Sequence, residues 1–324
     1  MYRLCAVRVS CAIVEIGPEM KTLVTGGARY VGNLLAKALL EQGHDVTILD
    51  NFMFGYDSVL HIAEHPRLSV LKQDVRNSDM TYLADQDVVF HLAAISGYPA
   101  CEANPHSAQL INVDATRRIV SHLSDDQLIV YASTTSLYGA NGEVSTEATE
   151  LTPASLYAAT KYEAEKTVMG HANAIAIRWA TVFGVSPRMR AGLMVNDFAE
   201  KAVHEGALVL FDADCKRTFM HISDSVSGYI FALEHADEMR GEVYNMGTER
   251  LNLSKRDLAE AIRKHVDFEI IDSSVGDRDV RNFYVSFDKA KSLGFDCVKN
   301  LQMGLMELVR LYQYYDPNSF IKPI

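Results

Sequence analysis

The sequence contains few cysteines and no long uninterrupted hydrophobic run. Its five cysteines are scattered along the chain as Cys5, Cys11, Cys101, Cys215 and Cys297. They form neither a CxxC pair nor another spacing typical of metal ligands, so we expect reduced thiols in a cytoplasmic protein and no metal site. No apolar stretch approaches the length of a membrane span, and no membrane association is expected.

Positive charge is scarce as well. The chain has 31 lysines and arginines against 42 aspartates and glutamates, which gives a formal net charge of −11. This balance argues against a nucleic-acid-binding surface. An anionic ligand must then be bound by local arginines rather than by the field of the whole protein. With 324 residues and 48% hydrophobic content, the chain is long enough for one large domain or two ordinary ones.

The N-terminal segment lacks the features of a signal peptide. Its apolar run between residues 4 and 16 is interrupted by Arg8 and Glu15, and no small-residue cleavage site follows it. Met20 lies directly before the first predicted core strand. We therefore interpret residues 1–19 as an N-terminal extension that the fold does not require.

A glycine-rich stretch follows, and it combines a buried strand, a tight turn and a helix start. The turn contains Gly26, Gly27 and Gly32, and an apolar periodic run begins a helix directly after it. The free N–H groups of such a helix start suit a pyrophosphate. The next strand ends in Asp50, about 18 residues later, where a Rossmann unit places its ribose-binding acid. A carboxylate there accepts from a free 2′-OH and repels a 2′-phosphate, so we predict NAD rather than NADP.

One position departs from this loop pattern, because its middle glycine is Arg29. That position usually has no side chain, so that the backbone can approach the pyrophosphate. We predict an arginine that points outward with NAD still bound, its guanidinium being able to curl back onto a phosphate oxygen. The alternative is crowding and weak NAD binding. In that case the chain is a non-catalytic dinucleotide-binding sensor or scaffold of the same fold.

Strands and helices alternate from residue 21 to residue 178. This rhythm predicts an α/β fold with a doubly wound parallel sheet and a ligand crevice at the carboxyl ends of the strands. We assign residues 20–182 to an NAD-binding Rossmann domain. Residues 183–324 form a smaller, mixed substrate domain, with part of 218–247 returning to the Rossmann domain.

Two motifs behind the glycine loop carry acid–base chemistry. Ser133 and Thr134 follow a predicted strand, and Tyr157 and Lys161 are spaced i, i+4 on a predicted helix, so that their side chains face the same way. An ammonium near a phenol favours the phenolate, and a neighbouring hydroxyl can share the proton. A lone YxxxK is often only a solvated pair. The order and spacing of these motifs favour a proton acceptor for an alcohol that loses hydride to NAD.

The chain resembles the extended short-chain dehydrogenase/reductase family, the NAD-dependent nucleotide-sugar epimerases and dehydratases. The resemblance covers residue 21 to about residue 311. It rests on segments in the family's order: TGGARYVG, TILDN, FHLAA, INVDAT, YASTTSLYG, YAATK, IRWATVFG, RTFMHISD and NFYVSFDKA. The run ATVFGVSPRMRAGLMVNDF followed by VYNMGT looks similar to the branch that oxidises C4 of GDP-activated sugars, such as GDP-manno-heptose 4-dehydrogenases.

The resemblance implies a role for each matching position. Thr134, Tyr157 and Lys161 become the catalytic trio. The implied NAD-binding residues, besides Tyr157 and Lys161, are Gly26, Arg29, Tyr30, Val31, Gly32, Asp50, Asn51, Asp74, Val75, Leu92, Ala93, Ala94, Asn112 and Ser133. The implied residues for a nucleotide-diphospho-sugar are Thr181, Arg188, Arg190, Asn196, Arg217 and either Arg278 or Arg281. The implied reaction is NAD-dependent oxidation at C4, as a 4-epimerase or a 4-dehydrogenase.

Three further expectations follow from the resemblance. Thr135 and Ser136 replace the acidic pair of the family's 4,6-dehydratases, so elimination of water lacks its acid and base. Thr181 replaces the family's asparagine, so a hydroxyl stands where the family has an amide contact with the sugar. The family's homodimer pairs the helices over 106–123 and 155–171 with their copies, leaving Ala164 and Val168 on the opposite face. The alternative is that this face packs inside one subunit.

Overall fold

The computed structural model describes residues 19–140, 143–276, 282 and 284–317. Nearly all of the proposed N-terminal extension lies outside the described residues, and so do Arg278 and Arg281, the two alternatives for a substrate contact.

The strands and helices alternate through the first half of the chain. The strands are β1 (Lys21–Thr25), β2 (Asp45–Asp50), β3 (Leu68–Lys72), β4 (Val88–His91), β5 (Leu128–Thr134), β6 (Val144–Ser145), β7 (Ala174–Trp179), β8 (Thr181–Phe183), β9 (Ala207–Leu210), β10 (Lys216–His221), β11 (Glu242–Met246), β12 (Asn252–Ser254), β13 (Glu269–Asp272) and β14 (Tyr284–Val285). The helices are α1 (Gly32–Glu41), α2 (Tyr98–Ala103), α3 (Pro105–Ala108), α4 (Ala115–Ser121), α5 (Leu156–Val168), α6 (Met194–His204), α7 (Ile222–Glu234), α8 (Ala236–Met239), α9 (Lys255–Arg263), α10 (Asp288–Ser292) and α11 (Leu301–Tyr312).

A seven-stranded parallel sheet forms the centre of the molecule. Its strand order is β11-β7-β5-β4-β1-β2-β3. Neighbouring residues on a strand pack into different cores, because successive side chains point to opposite faces. Val24 and Val130 belong to the core that contains residues of α1 and α7, whereas Leu23 and Ile129 belong to the core that contains residues of α4 and α5. Burial on both faces explains the continuous hydrophobic strands and confirms the predicted doubly wound α/β fold.

The C-terminal half builds a second, smaller unit beside the sheet. Strand β10 pairs with β8 in parallel and with β12 in antiparallel orientation, and β13 pairs with β9. Residues of α6, α9 and α11 fill a separate hydrophobic core there. Strand β11 instead pairs with β7, so the C-terminal half also supplies the outer strand of the central sheet.

The helix predicted over 106–123 is not continuous. It divides into α3, a π-helical turn over Gln109–Asp114, and α4. The helix predicted over 155–171 is α5, and Ser155 caps it by accepting a hydrogen bond from the Ala158 N–H at 3.2 Å. Ala164 and Val168 of this helix are fully buried in the core against the sheet. These two residues therefore do not form a free dimer face, and the alternative of packing inside one subunit is correct for them.

Other sequence expectations concern thiols and membranes. In the part of the chain that the structure describes, Cys101, Cys215 and Cys297 are free cysteines. Within the same ranges, no helix has the length and apolar character needed to cross a bilayer.

Candidate active site

The glycine-rich loop between β1 and α1 forms a closely packed cradle. Gly26 has a φ of +71°, and a Cβ added to it would lie 3.0 Å from the Ala93 nitrogen. A Cβ on Gly32 would lie 2.3 Å from the Gly26 carbonyl oxygen. Only glycine fits these positions without displacement of the backbone, and the resulting turn aims the start of α1 at one place. The loop therefore fits the pyrophosphate of a dinucleotide.

Asp50 lies beside this cradle at the carboxyl end of β2. Its side chain is buried, and its two oxygens accept hydrogen bonds from the Ala28 N–H at 3.1 Å and the Phe52 N–H at 2.9 Å. Each carboxylate oxygen has a second lone pair, so both remain able to accept from ribose hydroxyls. This fixed carboxylate fits the ribose of NAD.

The next predicted cofactor residues continue along the same edge of the sheet. Asn51 donates a hydrogen bond from Nδ2 to Asp74 at 3.1 Å. The Arg76 guanidinium, which pairs with Asp74, holds the pKa of that carboxyl well below its usual range. Val75 is buried in the hydrophobic core, and the residues that follow β4 are Leu92, Ala93 and Ala94. Val31 immediately precedes α1.

Tyr157 and Lys161 lie one turn apart on α5. Lys161 is only 3% exposed, and its Nζ lies 4.0 Å from the centroid of the Tyr131 ring. Burial lowers the pKa of the Lys161 ammonium to about 7, although Glu165 and Cys101 oppose this shift. Burial disfavours the charged form of this lysine, whereas an anionic group beside it favours that form.

Thr134 completes the predicted trio at the end of β5. Its Oγ1 accepts a hydrogen bond from the Ser136 N–H at 3.1 Å, which leaves the hydroxyl hydrogen able to donate to a ligand. Thr135 and Ser136 are buried beside it, and Thr135 donates to the Trp179 carbonyl at 3.1 Å. No carboxylate occupies these two positions, as the sequence shows.

Asn112 supports the trio from the π-helical turn. Its side chain accepts from the Ile95 N–H at 2.8 Å and donates to the Ile95 carbonyl at 3.0 Å. A further bond from Nδ2 reaches the Thr160 hydroxyl at 3.0 Å. Because Thr160 lies between Tyr157 and Lys161, these bonds fix α5 against the loop that follows β4.

Sequence reasoning missed a buried ion pair directly behind Lys161. Glu165, one turn further along α5, pairs with Arg178 through bonds of 2.7 and 3.1 Å. Ser133 donates to the same carboxylate at 2.5 Å, and Arg178 also donates to the Tyr138 hydroxyl at 3.0 Å. The i+4 spacing of Glu165 from Lys161 is the signal in the sequence. Ser133 gives its hydroxyl hydrogen to Glu165, and its expected NAD contact stays a prediction.

Two other predicted contact residues join the two halves of the site. The Tyr30 hydroxyl donates to the Gly184 carbonyl at 2.7 Å and accepts from Asn196 Nδ2 at 3.2 Å. Asn196 also donates to the Arg190 carbonyl at 3.0 Å and accepts from the Gly184 N–H at 3.0 Å. Both amide hydrogens of Asn196 are thus used within the protein. These bonds position the Tyr30 and Asn196 side chains, and the expected contacts of both residues with ligands stay predictions.

The predicted substrate residues that the structure describes come from β8, β10, the start of α6 and the segment before it. Arg190 donates to the side chain and carbonyl of Ser96 at 3.1 and 2.6 Å, and it is near enough to Tyr157 for their charges to interact. Arg217 lies on β10 and is 2% exposed. Thr181, the first residue of β8, pairs with Phe219 of β10. The structure thus places Arg190 near the trio.

Arg29 is partly buried, and its outward orientation with NAD still bound stays a prediction. Its guanidinium lies 4.2 Å from the centroid of the Phe54 ring, and Arg188 lies 4.6 Å from the same centroid. Burial lowers the pKa of Arg29, and Asp50 opposes that shift. The backbone at Arg29 adopts no left-handed conformation.

Comparisons with known proteins agree with this geometry. The chain is 30% identical to YtcB of Bacillus subtilis (strain 168), described as an uncharacterized UDP-glucose epimerase, over 91% of this chain and 99% of that protein. It is 27% identical to the UDP-N-acetyl-alpha-D-glucosaminuronate decarboxylase of Bacillus cytotoxicus, over 93% of this chain and 94% of that protein. The solved structure of MoeE5 in complex with UDP-glucose and NAD superimposes with a TM-score of 0.78 at 25% identity, covering 90% of this chain and 98% of that chain.

The names of these relatives refer to UDP-sugars, and the similarity to the GDP-manno-heptose branch stays a prediction. The profile of the NAD dependent epimerase/dehydratase family matches residues 22–247, which include the glycine cradle, Asp50 and the whole trio. The chain belongs to the NAD-dependent epimerase/dehydratase family.

Proposed function

We propose that this protein is an enzyme that oxidises C4 of a nucleotide-diphospho-sugar with NAD, as a 4-epimerase or a 4-dehydrogenase. The observation that carries the proposal is the trio at the crevice. Tyr157 and Lys161 occupy successive turns of α5, and Thr134 ends the adjacent strand with its hydroxyl hydrogen free to donate. A pure dinucleotide-binding protein has no use for such a phenol and ammonium.

Each member of the trio has a separate task. The Tyr157 phenolate accepts the proton of the C4 hydroxyl, and the Lys161 ammonium stabilises that phenolate by charge. Thr134 donates to the reacting oxygen and holds it in place. NAD bound by these residues would supply the hydride acceptor for C4 and, in a 4-epimerase, the hydride donor for the other face of the ketone. Gly26, Gly32 and Asp50 hold the cofactor.

The nucleotide of the substrate is proposed to be uridine diphosphate. The relatives carry UDP-sugar names, and the structure of MoeE5 was solved in complex with UDP-glucose. Elimination of water is not proposed, because Thr135 and Ser136 offer hydroxyls where that reaction needs an acid and a base.

The test is a panel of UDP-, GDP- and dTDP-sugars incubated with the NAD-loaded protein and followed by NMR. We expect inversion at C4 or a 4-keto product with at least one UDP-sugar. An epimer and a ketone distinguish the two outcomes directly. Absence of turnover with every nucleotide sugar, while NAD is bound, contradicts the proposal and favours the sensor or scaffold alternative.

A further inference from the structure

Three arginines gather where the glycine-rich loop meets the segment before α6. Arg29 belongs to the loop, and Arg188 and Arg190 belong to the segment. Burial is the main cause that lowers the pKa of Arg29, Asp50 opposes it, and Arg190 and Arg188 are close enough to lower it further by repulsion. The chain as a whole has a net charge of −11, so this local excess of positive charge is opposite in sign to that of the whole protein. It indicates an anionic ligand.

The side chain of Phe54 holds two of these arginines together. Arg29 and Arg188 both place their guanidinium carbons over its ring, at 4.2 and 4.6 Å from the centroid. The ring itself is 44% exposed, so it is not held there by burial in a core. Cation–π attraction holds each guanidinium over the ring and fixes its place. Two loops that are far apart in sequence are thereby joined at one aromatic side chain.

Arg29 and Arg188 also have hydrogen-bond donors to spare. Within the described ranges, the Arg29 guanidinium donates no hydrogen bond to another residue. Arg188 donates from one terminal nitrogen to the Met189 carbonyl at 3.0 Å, and its buried Nε has no acceptor. Arg190 differs, because both of its terminal nitrogens are bound by Ser96. A buried donor without an acceptor is costly, and an anion between Arg29 and Arg188 would satisfy it.

We infer that Arg29 and Arg188, held over Phe54, form an anion clamp on the pyrophosphate of NAD. The cofactor is the ligand because Arg29 lies in the loop whose Gly26 and Gly32 form the cradle for that group. The inference rests on the proposed use of NAD. It gives the C-terminal half of the chain a direct part in cofactor retention, since Arg188 lies beyond the first six strands of the sheet. It also gives a function to the arginine that replaces the usual glycine.

The test is calorimetric titration of NAD into nucleotide-free protein. Arg29→Met and Arg188→Met keep the length of each stem and remove its charge. We expect each to weaken NAD binding about five- to tenfold and to make the affinity less sensitive to salt. Arg29→Lys should restore part of the affinity. The control is Arg240→Met, which removes an exposed arginine that pairs with Asp237.

Parallel titrations distinguish the two possible sources of the anion. Adenosine, which lacks phosphate, should bind equally to all variants, and UDP should bind equally to the NAD-saturated forms. Unchanged NAD affinity in both variants overturns the clamp. Unchanged NAD affinity with weaker UDP binding also overturns it, and assigns these arginines to the substrate's diphosphate. These titrations measure binding and not turnover, so they test the clamp separately from the proposed oxidation at C4.

Discussion

At the residue scale, Tyr157 is the group on which the proposed proton transfer depends. Removal of its hydroxyl by Tyr157→Phe should lower kcat by about two to four orders of magnitude, because the C4 hydroxyl then has no proton acceptor. NAD affinity should change little, since the ring and Lys161 remain. The matched control is Tyr162→Phe on the same helix, whose ring lies beside Lys166 rather than Lys161. An equal decrease in kcat in both variants would show that Tyr157 is not the proton acceptor.

Lys161 supplies a second prediction at this scale, on the stability of the cofactor-free protein. Its pKa is near 7 in the folded state, against about 10.4 when unfolded. The unfolded chain therefore binds the proton more tightly. Burial of the charged lysine therefore lowers the free energy of unfolding by its full amount below about pH 7, and this loss disappears as the pH rises from that value to about pH 10.

Lys161→Met should accordingly raise the free energy of unfolding at about pH 6 and have a smaller effect at about pH 9.5. Urea unfolding of both proteins at the two pH values measures this difference. A stabilisation that does not change with pH would show that the lysine is not held in a low-pKa environment, and that only its shape matters.

The sequence is sufficient to locate the trio and insufficient to assign every neighbour. Tyr157 and Lys161 are found because an i, i+4 spacing on a helix fixes their relative direction. Tyr30 and Asn196 are different, since their hydrogen bond joins residues 166 positions apart. No local pattern reports such a contact, and the resemblance alone assigns both residues to ligands, which stays a prediction.

At the element scale, the ion pair between Glu165 and Arg178 ties α5 to β7 behind the trio. Both side chains are buried, and the carboxylate also accepts from Ser133 on β5. Glu165→Gln leaves a buried guanidinium without its anion. We expect it to lower the free energy of unfolding by about 3 kcal/mol, near the lower end of the range for broken buried pairs.

The control for this prediction is Glu163→Gln on the exposed side of α5. Glu163 pairs with Arg117 at the surface, and its loss should cost at most about 1 kcal/mol. Denaturant unfolding of the two variants under the same conditions compares them directly. Similar costs for both would mean that the buried pair contributes no more than a surface pair.

Element boundaries show where sequence patterns stop being informative. The apolar period predicts one helix over 106–123, and it does not report the π-helical turn that carries Asn112. That turn is fixed by hydrogen bonds to Ile95 and Thr160, which lie on other elements. The central strands were predictable because burial on both faces of a parallel sheet requires continuous hydrophobic runs.

At the scale of the whole molecule, the crevice is assembled from both halves of the chain. Ser186 donates to the Tyr30 carbonyl at 2.7 Å and accepts from Asn33 at 3.1 Å, so the segment before α6 is bonded to the glycine-rich loop. We therefore expect the cofactor and the substrate to bind next to each other, where this segment meets the loop. Dimerisation stays a prediction, and the burial of Ala164 and Val168 leaves any interface to other residues of α4 and α5.

The most direct test of the proposed chemistry uses a UDP-sugar deuterated at C4. We predict a primary isotope effect on turnover, with deuterium retained at C4 of the epimer or transferred to the cofactor when a ketone is released. NMR of the sugar and mass spectrometry of the nucleotide locate the label. Turnover that releases the deuterium into water, without an isotope effect, would contradict hydride transfer at C4 and with it the function proposed for this protein.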